Sequence, residues 1–279
     1  MAEPKPRPDF ATIGGIVLAV GGIAGGLVME GGRLRDVAQV TAAMIVLGGT
    51  IGAVMITTPL SVLIRAGRQL GHVFFSSTES LSERIEEIIG FATQARKSGI
   101  VSLESPAALI EDPFLRKALE LAVDGVAPAR IREIMELDID LFEQNADAEA
   151  KVFESAGGYA PTIGIIGAVL GLIQVMKNLA NVDEVGRGIA VAFVATIYGV
   201  GAANIFFLPA AGKLKARTHE LVRIRELTLE GILGIAEGVN HRLIRIKLDA
   251  FPEKNPSSRR ERKAQRIGAT APEPAAAKG

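Results

Sequence analysis

Four stretches of the chain contain no Asp, Glu, Lys, Arg or His: residues 11–29, 37–64, 155–176 and 188–212. A helix rises 1.5 Å per residue, so about 20 apolar residues cross the hydrocarbon core of a bilayer. All four runs qualify, the first barely, and the second has room to tilt or to project beyond the bilayer. Uncharged runs this long are rare in soluble chains. The pattern therefore predicts an all-α protein with four transmembrane helices. The first run is long for a signal peptide, and Met29-Glu30-Gly31-Gly32 carries no small-residue cleavage pattern, so it reads as a retained span.

Between the second and third runs the pattern changes to amphipathic helices. Ser77-Thr78-Glu79 and Ser82 offer caps ahead of a helix that runs to Lys97 and stops at Gly99. Asp112-Pro113 predicts another helix start, with Pro in the first turn, ending at Asp124-Gly125. Pro128 opens a third helix. No Gly or Pro interrupts it before Ser155, so it is expected to run into the third span. After the fourth span, residues 213–248 read as one long helical extension. The domain reading follows: an N-terminal segment 1–10, a first transmembrane pair 11–64, a helical loop domain 65–154, a second pair 155–212, a helix 213–251 and a basic, Pro-containing tail 252–279 expected to be disordered.

Charge adds orientation. The chain has 31 basic and 31 acidic side chains, but residues 77–154 hold eight basic and 17 acidic ones. So acidic a segment does not suit nucleic acid or anionic lipid. The links between spans one and two and between three and four are short and charge-balanced. Lys5, Arg7, Arg65, Arg68, Lys213, Lys215 and Arg217 cluster at the opposite ends. The positive-inside rule then places both termini and the 65–154 domain in the cytoplasm.

Candidate chemistry is mostly absent. There is no Cys, and the three His are scattered, which excludes Cys-based zinc sites and disulfide scaffolds and leaves a His site unsupported. No nucleophile elbow or P-loop occurs; Gly199-Val200-Gly201-Ala202-Ala203-Asn204 lacks the final Gly and a preceding strand. An enzyme is not expected. Proton relays need ionisable groups in the membrane, and these spans offer only hydroxyls and amides such as Thr162, Thr196, Tyr198 and Asn204. The chain either conducts nothing or borrows an acid from another chain. Glycines spaced four apart (21/25, 22/26, 48/52, 167/171) predict close helix contacts, mostly within the chain. Pro161 and Pro209, near span ends, each remove a backbone N–H and can kink a helix.

The segments 157–173, Phe193-Val194-Ala195-Thr196-Ile197-Tyr198-Gly199, Phe207-Leu208-Pro209 and 112–120 followed by Asp124-Gly125 resemble the flagellar stator subunit family MotA over roughly residues 11–251. The third-span motif is shared more loosely with the ExbB and TolQ subunits, whose three spans fit this chain less well. The resemblance implies a multi-pass protein of the bacterial inner membrane. It further implies a homopentameric ring around two copies of a MotB-like, single-span, peptidoglycan-anchored partner. That partner's membrane Asp would supply the missing acid. It also implies torque on the rotor protein FliG, with Arg96, Lys97 and Glu104 as rotor contacts, and Pro161, Thr162, Ala168, Ala195, Thr196, Tyr198 and Pro209 along the ion path. No cofactor is expected. Sodium-driven relatives of the PomA type carry Thr where Ala168 and Ala195 stand. Methyl groups offer a dehydrated sodium ion no oxygen, so the transported ion is expected to be a proton. The alternatives are a sodium-coupled stator, an ExbB/TolQ-like energiser of outer-membrane transport, and a non-conducting membrane scaffold.

Overall fold

The computed structural model describes residues 7–76 and 80–251. The cap candidates Ser77-Thr78-Glu79, the basic side chains of Lys5 and Arg7, and the tail 252–279 lie outside what is described. Four helices are long and apolar enough to span a membrane: Phe10–Met29, Val40–Thr57, Pro128–Lys177 and Val182–Ala236. Apart from a two-residue antiparallel pairing of Arg7–Pro8 with Phe75–Ser76, the described elements are helical. The chain divides into two compact units, one of residues up to Thr78 plus Asp138–Val222, the other of Glu79–Leu137 plus residues from Arg223 onward. Residues 65–76 and 138–154, grouped with the loop domain on sequence, thus belong to the membrane unit.

In the membrane unit the third and fourth spans meet through small residues. A Cβ built on Gly199 would stand 2.5 Å from the carbonyl oxygen of Ala160, and one on Gly164 would stand 2.9 Å from that of Ala195. Gly171 and Gly188 make the same approach about two turns further along, each within 3.0 Å of the other's carbonyl oxygen. Apolar lipid gives two helices little hydrophobic reason to associate, so this close backbone packing supplies the attraction. The second span joins through Ala42 and Val46, buried against Val194 and Ala195. Gly49 makes room for Ile163. Toward the other end of the spans, Val54, Ala66, Val73, Ala150, Phe153, Ala210 and Leu214 form a second buried cluster.

The expectation that intrachain packing explains most of the spaced glycines is corrected. It holds for Gly167 and Gly171, but a Cβ on Gly21, Gly22, Gly25, Gly26, Gly48 or Gly52 would meet nothing within 4 Å. The first span has no buried residue at all.

Several element ends also differ from the sequence reading. The uncharged run 37–64 is not one helix: Thr58 is extended before Pro59, because the proline ring disfavours helical backbone in the preceding residue. The helix Leu81–Ser98 is capped by Ser80, in a reciprocal box with Glu83, and not by Ser82. The extension after span four stops at Ala236; Gly238 takes a positive φ of 71°, Val239 N–H closes onto the Gly234 carbonyl, and Asn240 caps a separate helix His241–Leu248. The link between spans three and four is shorter than read, since Asn181 caps a helix that begins at Val182 and carries Asp183 and Glu184 in its first turn, where the helix dipole favours them. The helix from Pro128 does run unbroken through Pro161 to Lys177. Pro209 follows a π-helical stretch, Ala202–Phe207.

The second unit is organised by charges as well as apolar packing. Arg84 is 2% exposed and binds Glu87 at 3.2 Å and Asp112 at 2.5 Å. The other oxygen of Asp112 accepts from Phe114 N–H, capping the helix Pro113–Val123. One carboxylate therefore satisfies a helix start and a buried guanidinium together, which a buried charge requires. Ile88, Leu115, Leu119, Ile131, Leu227 and Leu233 are buried in this unit, and Gly231 leaves room for Ile88 and Leu248. Arg245 grips Glu86 with two hydrogen bonds of 2.6 and 2.7 Å, and that contact raises its pKa.

The glycine contact predicts the cost of a methyl group. Gly199→Ala should cost about 1–3 kcal/mol through overpacking against backbone and lower the Tm of the detergent-purified protein. Gly212→Ala, with nothing within 4 Å, should leave the Tm unchanged or slightly raised. Equal Tm values for the two variants would contradict the packing described.

Candidate functional site

The contact between the third and fourth spans fixes the facing of every residue in the 195–199 motif. Ala195 and Gly199 point at the third span, where Ala195 is fully buried and its methyl lies where a Cβ on Gly167 would fall. Tyr198 turns toward the second span. Ile197 is exposed, and Thr196 is half-buried beside Gly164. On the third span Thr162 is exposed, while Pro161 and Ala168 are half-buried. Thr162 and Thr196 each spend their hydroxyl proton on their own helix, at Tyr159 O (2.8 Å) and Ala192 O (3.2 Å). Their oxygens remain acceptors. Of the residues named for the ion path, Thr162, Thr196 and Ala168 thus reach an open or half-open surface of the helix pair. Ala195 and Tyr198 are turned into contacts within the chain.

Pro209 is exposed and lines a groove of about 350 Å³ together with Ala11, Gly15, Ala19, Asn204 and Phe206. Its missing N–H falls after the π-helical stretch, the usual place for a helix to absorb such a break. At one end of the groove Lys213 binds Asp9 and, at 2.7 Å, the hydroxyl of Thr12. The second oxygen of Asp9 accepts the N–H groups of Ala11 and Thr12, capping the first span. The hydrogen bond from Lys213 holds the Asp9 carboxyl below its ordinary value, against the opposing effect of burial.

Arg96 and Lys97 occupy the last turn of the helix Leu81–Ser98, where cations complement the helix dipole. Gly99, at φ 81°, turns the chain into a 3₁₀ segment Ile100–Leu103, and Glu104 opens the next short helix. A hydrogen bond from Gln94 to the Ser102 carbonyl (2.9 Å) braces this elbow. All three charges are exposed, and among the described residues none has an ion-pair partner. No group of three or more His, Asp or Glu that could hold a metal occurs among the described residues.

Sequence reasoning missed two features here. The Asp9 cap was legible as an acidic residue just before an apolar run, but its tie to Lys213 crosses 204 positions and leaves no local signal. The Tyr198 contacts with Val37 and Gln39 cross 161 and 159 positions and are equally silent in sequence.

Comparison with known proteins gives a consistent set of relatives. A family model described as the MotA/TolQ/ExbB proton channel family matches residues 107–227, and one described as Motility protein A N-terminal matches residues 13–98. The chain is 36% identical to Motility protein A of Bacillus subtilis strain 168, over 86% of this chain and 89% of that one. It is 30% identical to Chemotaxis protein PomA of Vibrio alginolyticus, over 85% and 92%. Among solved structures it is similar to C. jejuni MotAB, with a TM-score of 0.84 and 37% identity over 89% of this chain and 98% of that chain. The flagellar MotAB stator complex from Bacillus subtilis gives a TM-score of 0.83 and 33% identity over 92% and 100%.

The Asp9–Lys213 contact carries a pH dependence. The folded pKa of Asp9 lies below its unfolded value of 3.8. Its contribution to stability is therefore fully present above that value and is lost as pH falls through the folded pKa. Asp9→Asn keeps a capping oxygen but removes the charge. It should lower stability at pH 7 by about 0.5–1 kcal/mol, and the difference in Tm from the wild type should shrink as the pH drops below the carboxylate range. A difference that stays constant with pH would refute the assignment.

Proposed function

The chain belongs to the MotA/TolQ/ExbB proton channel family, and we propose that it is the ring subunit of a flagellar stator that couples inward proton flow to torque on the rotor. Its relatives carry the name Motility protein A, and its structural neighbours are MotAB stator complexes. A multi-pass location in the bacterial inner membrane accompanies that reading, with both termini and the second unit in the cytoplasm by the distribution of basic residues. The partner is a MotB-like, peptidoglycan-anchored chain with a single span. The assembly is a homopentamer around two copies of it, and FliG is the rotor protein engaged.

The observation that carries the ion path is the lack of any Asp, Glu, Lys, Arg or His in residues 155–176 and 188–212. A conducting assembly built on these helices needs a carboxylate from the partner. This chain supplies an apolar wall interrupted by Thr162 and Thr196. When the partner's carboxylate is protonated it is neutral, and moving it past Ala168 and Thr196 no longer exposes a charge to a low-dielectric surface. Losing the proton to the cytoplasmic side restores the charge and makes the next apolar stretch unfavourable. Repetition of that cycle moves the ring in steps. Pro161 and Pro209 stand near the cytoplasmic ends of the two path-lining spans, and the exposed Arg96, Lys97 and Glu104 meet the rotor. Opposite charges there set register and steering more than affinity.

Proton coupling is favoured over sodium because oxygen ligands are few. Ala168 presents only a methyl group, and Ala195 is buried away from any open surface. Two threonine oxygens fall short of a sodium ion's hydration shell. The 30% identity to PomA makes sodium coupling the second reading.

Two measurements test the function. Swimming driven by this stator as the cell's only one should stay constant across external sodium concentration at fixed proton-motive force; strict dependence on sodium reverses the assignment. Ala168→Glu places a second carboxyl beside the path and should abolish swimming while the subunit still co-purifies with its partner. Normal torque in that variant would remove the third span from the path.

A further inference from the structure

The second span does not begin cleanly. A short helix, Leu34–Val37, ends just before it, and the span's own helix starts at Val40. Between them Ala38 (φ −87°, ψ 82°) and Gln39 (φ −119°, ψ 113°) are extended. This break leaves the Val37 carbonyl and the Gln39 amide outside the helical hydrogen-bond ladder. At the edge of an apolar core such groups need partners, because unsatisfied backbone there is costly.

A single side chain from the fourth span serves both. The Tyr198 hydroxyl donates to the Val37 carbonyl at 2.6 Å and accepts from the Gln39 N–H at 3.3 Å. Its ring packs with Val37 on the cluster of Ala42, Val46, Val194 and Ala195. A hydroxyl has one proton to give and accepts at its oxygen, and here the backbone of the break takes the proton and supplies the donor. Tyr198 also lies two residues beyond Thr196, on a different face of the same helix.

We infer that Tyr198 is a positioning residue: its hydroxyl pins the link between the first and second spans to the fourth span, and so holds the second span in register with the helix that carries Thr196. This is a different role from the ion-path contact that family resemblance implies for the same position. The inference rests on the stator reading only for its motility readout; the backbone readout stands without it.

The test is Tyr198→Phe, which removes the hydroxyl and keeps the ring. Hydrogen–deuterium exchange on the detergent-purified complex with its partner should show the Gln39 amide exchanging about five- to tenfold faster, the factor that one hydrogen bond of ordinary strength protects. The helix Leu81–Ser98 should be unaffected. Swimming should fall several-fold while co-purification with the partner, sodium independence and the pH midpoint of swimming stay at wild-type values. Unchanged exchange at Gln39 overturns the inference, as does faster exchange with normal swimming. A shifted pH midpoint or a changed ion dependence also overturns it and returns Tyr198 to the ion path. Should the variant fail to accumulate, the wild-type protein decides alone: a Gln39 amide exchanging at the rate of an unprotected peptide sinks the proposal. A chain that drives no motility even as wild type would defeat the stator reading and leave the exchange result standing.

Discussion

The backbone contact between the third and fourth spans governs the membrane unit. Where Gly199 lies against the Ala160 carbonyl and Gly171 against Gly188, there is no side chain between the helices to adjust. Their spacing and rotation are therefore set by main-chain atoms, which cannot repack. Everything on the two helices inherits that rotation. It turns Ala195 inward, leaves Thr196 half open, aims Tyr198 at the second span and leaves Ile165, Val169 and Phe193 exposed on the outside of the pair. A helix pair held by mobile side chains would not fix the facing of these residues so closely.

The second unit solves a different problem. Beside its apolar core it buries a guanidinium, Arg84. It does so by giving Asp112 two tasks, as a helix cap and as a counter-ion. The exposed Arg96, Lys97 and Glu104 take no part in that network. A surface whose charges are not needed for folding is free to be specified by a partner, as the proposed rotor contact requires.

Much of this was legible in sequence because it is local. Uncharged length marks a span, Asp112-Pro113 marks a helix start, and the unbroken run after Pro128 marks a helix that enters the membrane. The missed features share one physical trait: their partners are distant along the chain. Lys213 with Asp9 and Tyr198 with Val37 and Gln39 satisfy polar groups through contacts that leave no period or spacing to read. The break before Pro59 and the stop at Gly238 did have local signals, in the residue before proline and in a left-handed glycine. Hydropathy overrode both, since residues 37–64 lack charge throughout and residues 213–248 keep an apolar stripe. Which glycines meet a neighbour within the chain was not legible at all, because spacing four apart is the same on a packed face and on an open one.

The π-helical stretches Met44–Gly48 and Ala202–Phe207 sit inside the second and fourth spans. Each holds one residue more than an α-helix would fit in the same rise, so the wheel is offset by about 100° from one side to the other. Positions counted forward from Tyr198 in steps of 3.6 therefore land on the wrong side by the time they reach Pro209. The fourth span is in effect two rods on one axis with a phase slip between them: the half before it meets the third helix through Ala195 and Gly199, and the half after it packs Ala210 and Leu214 into the second buried cluster. A substitution scan along it would display two periodicities with a phase slip between them, and averaging across the slip would erase both.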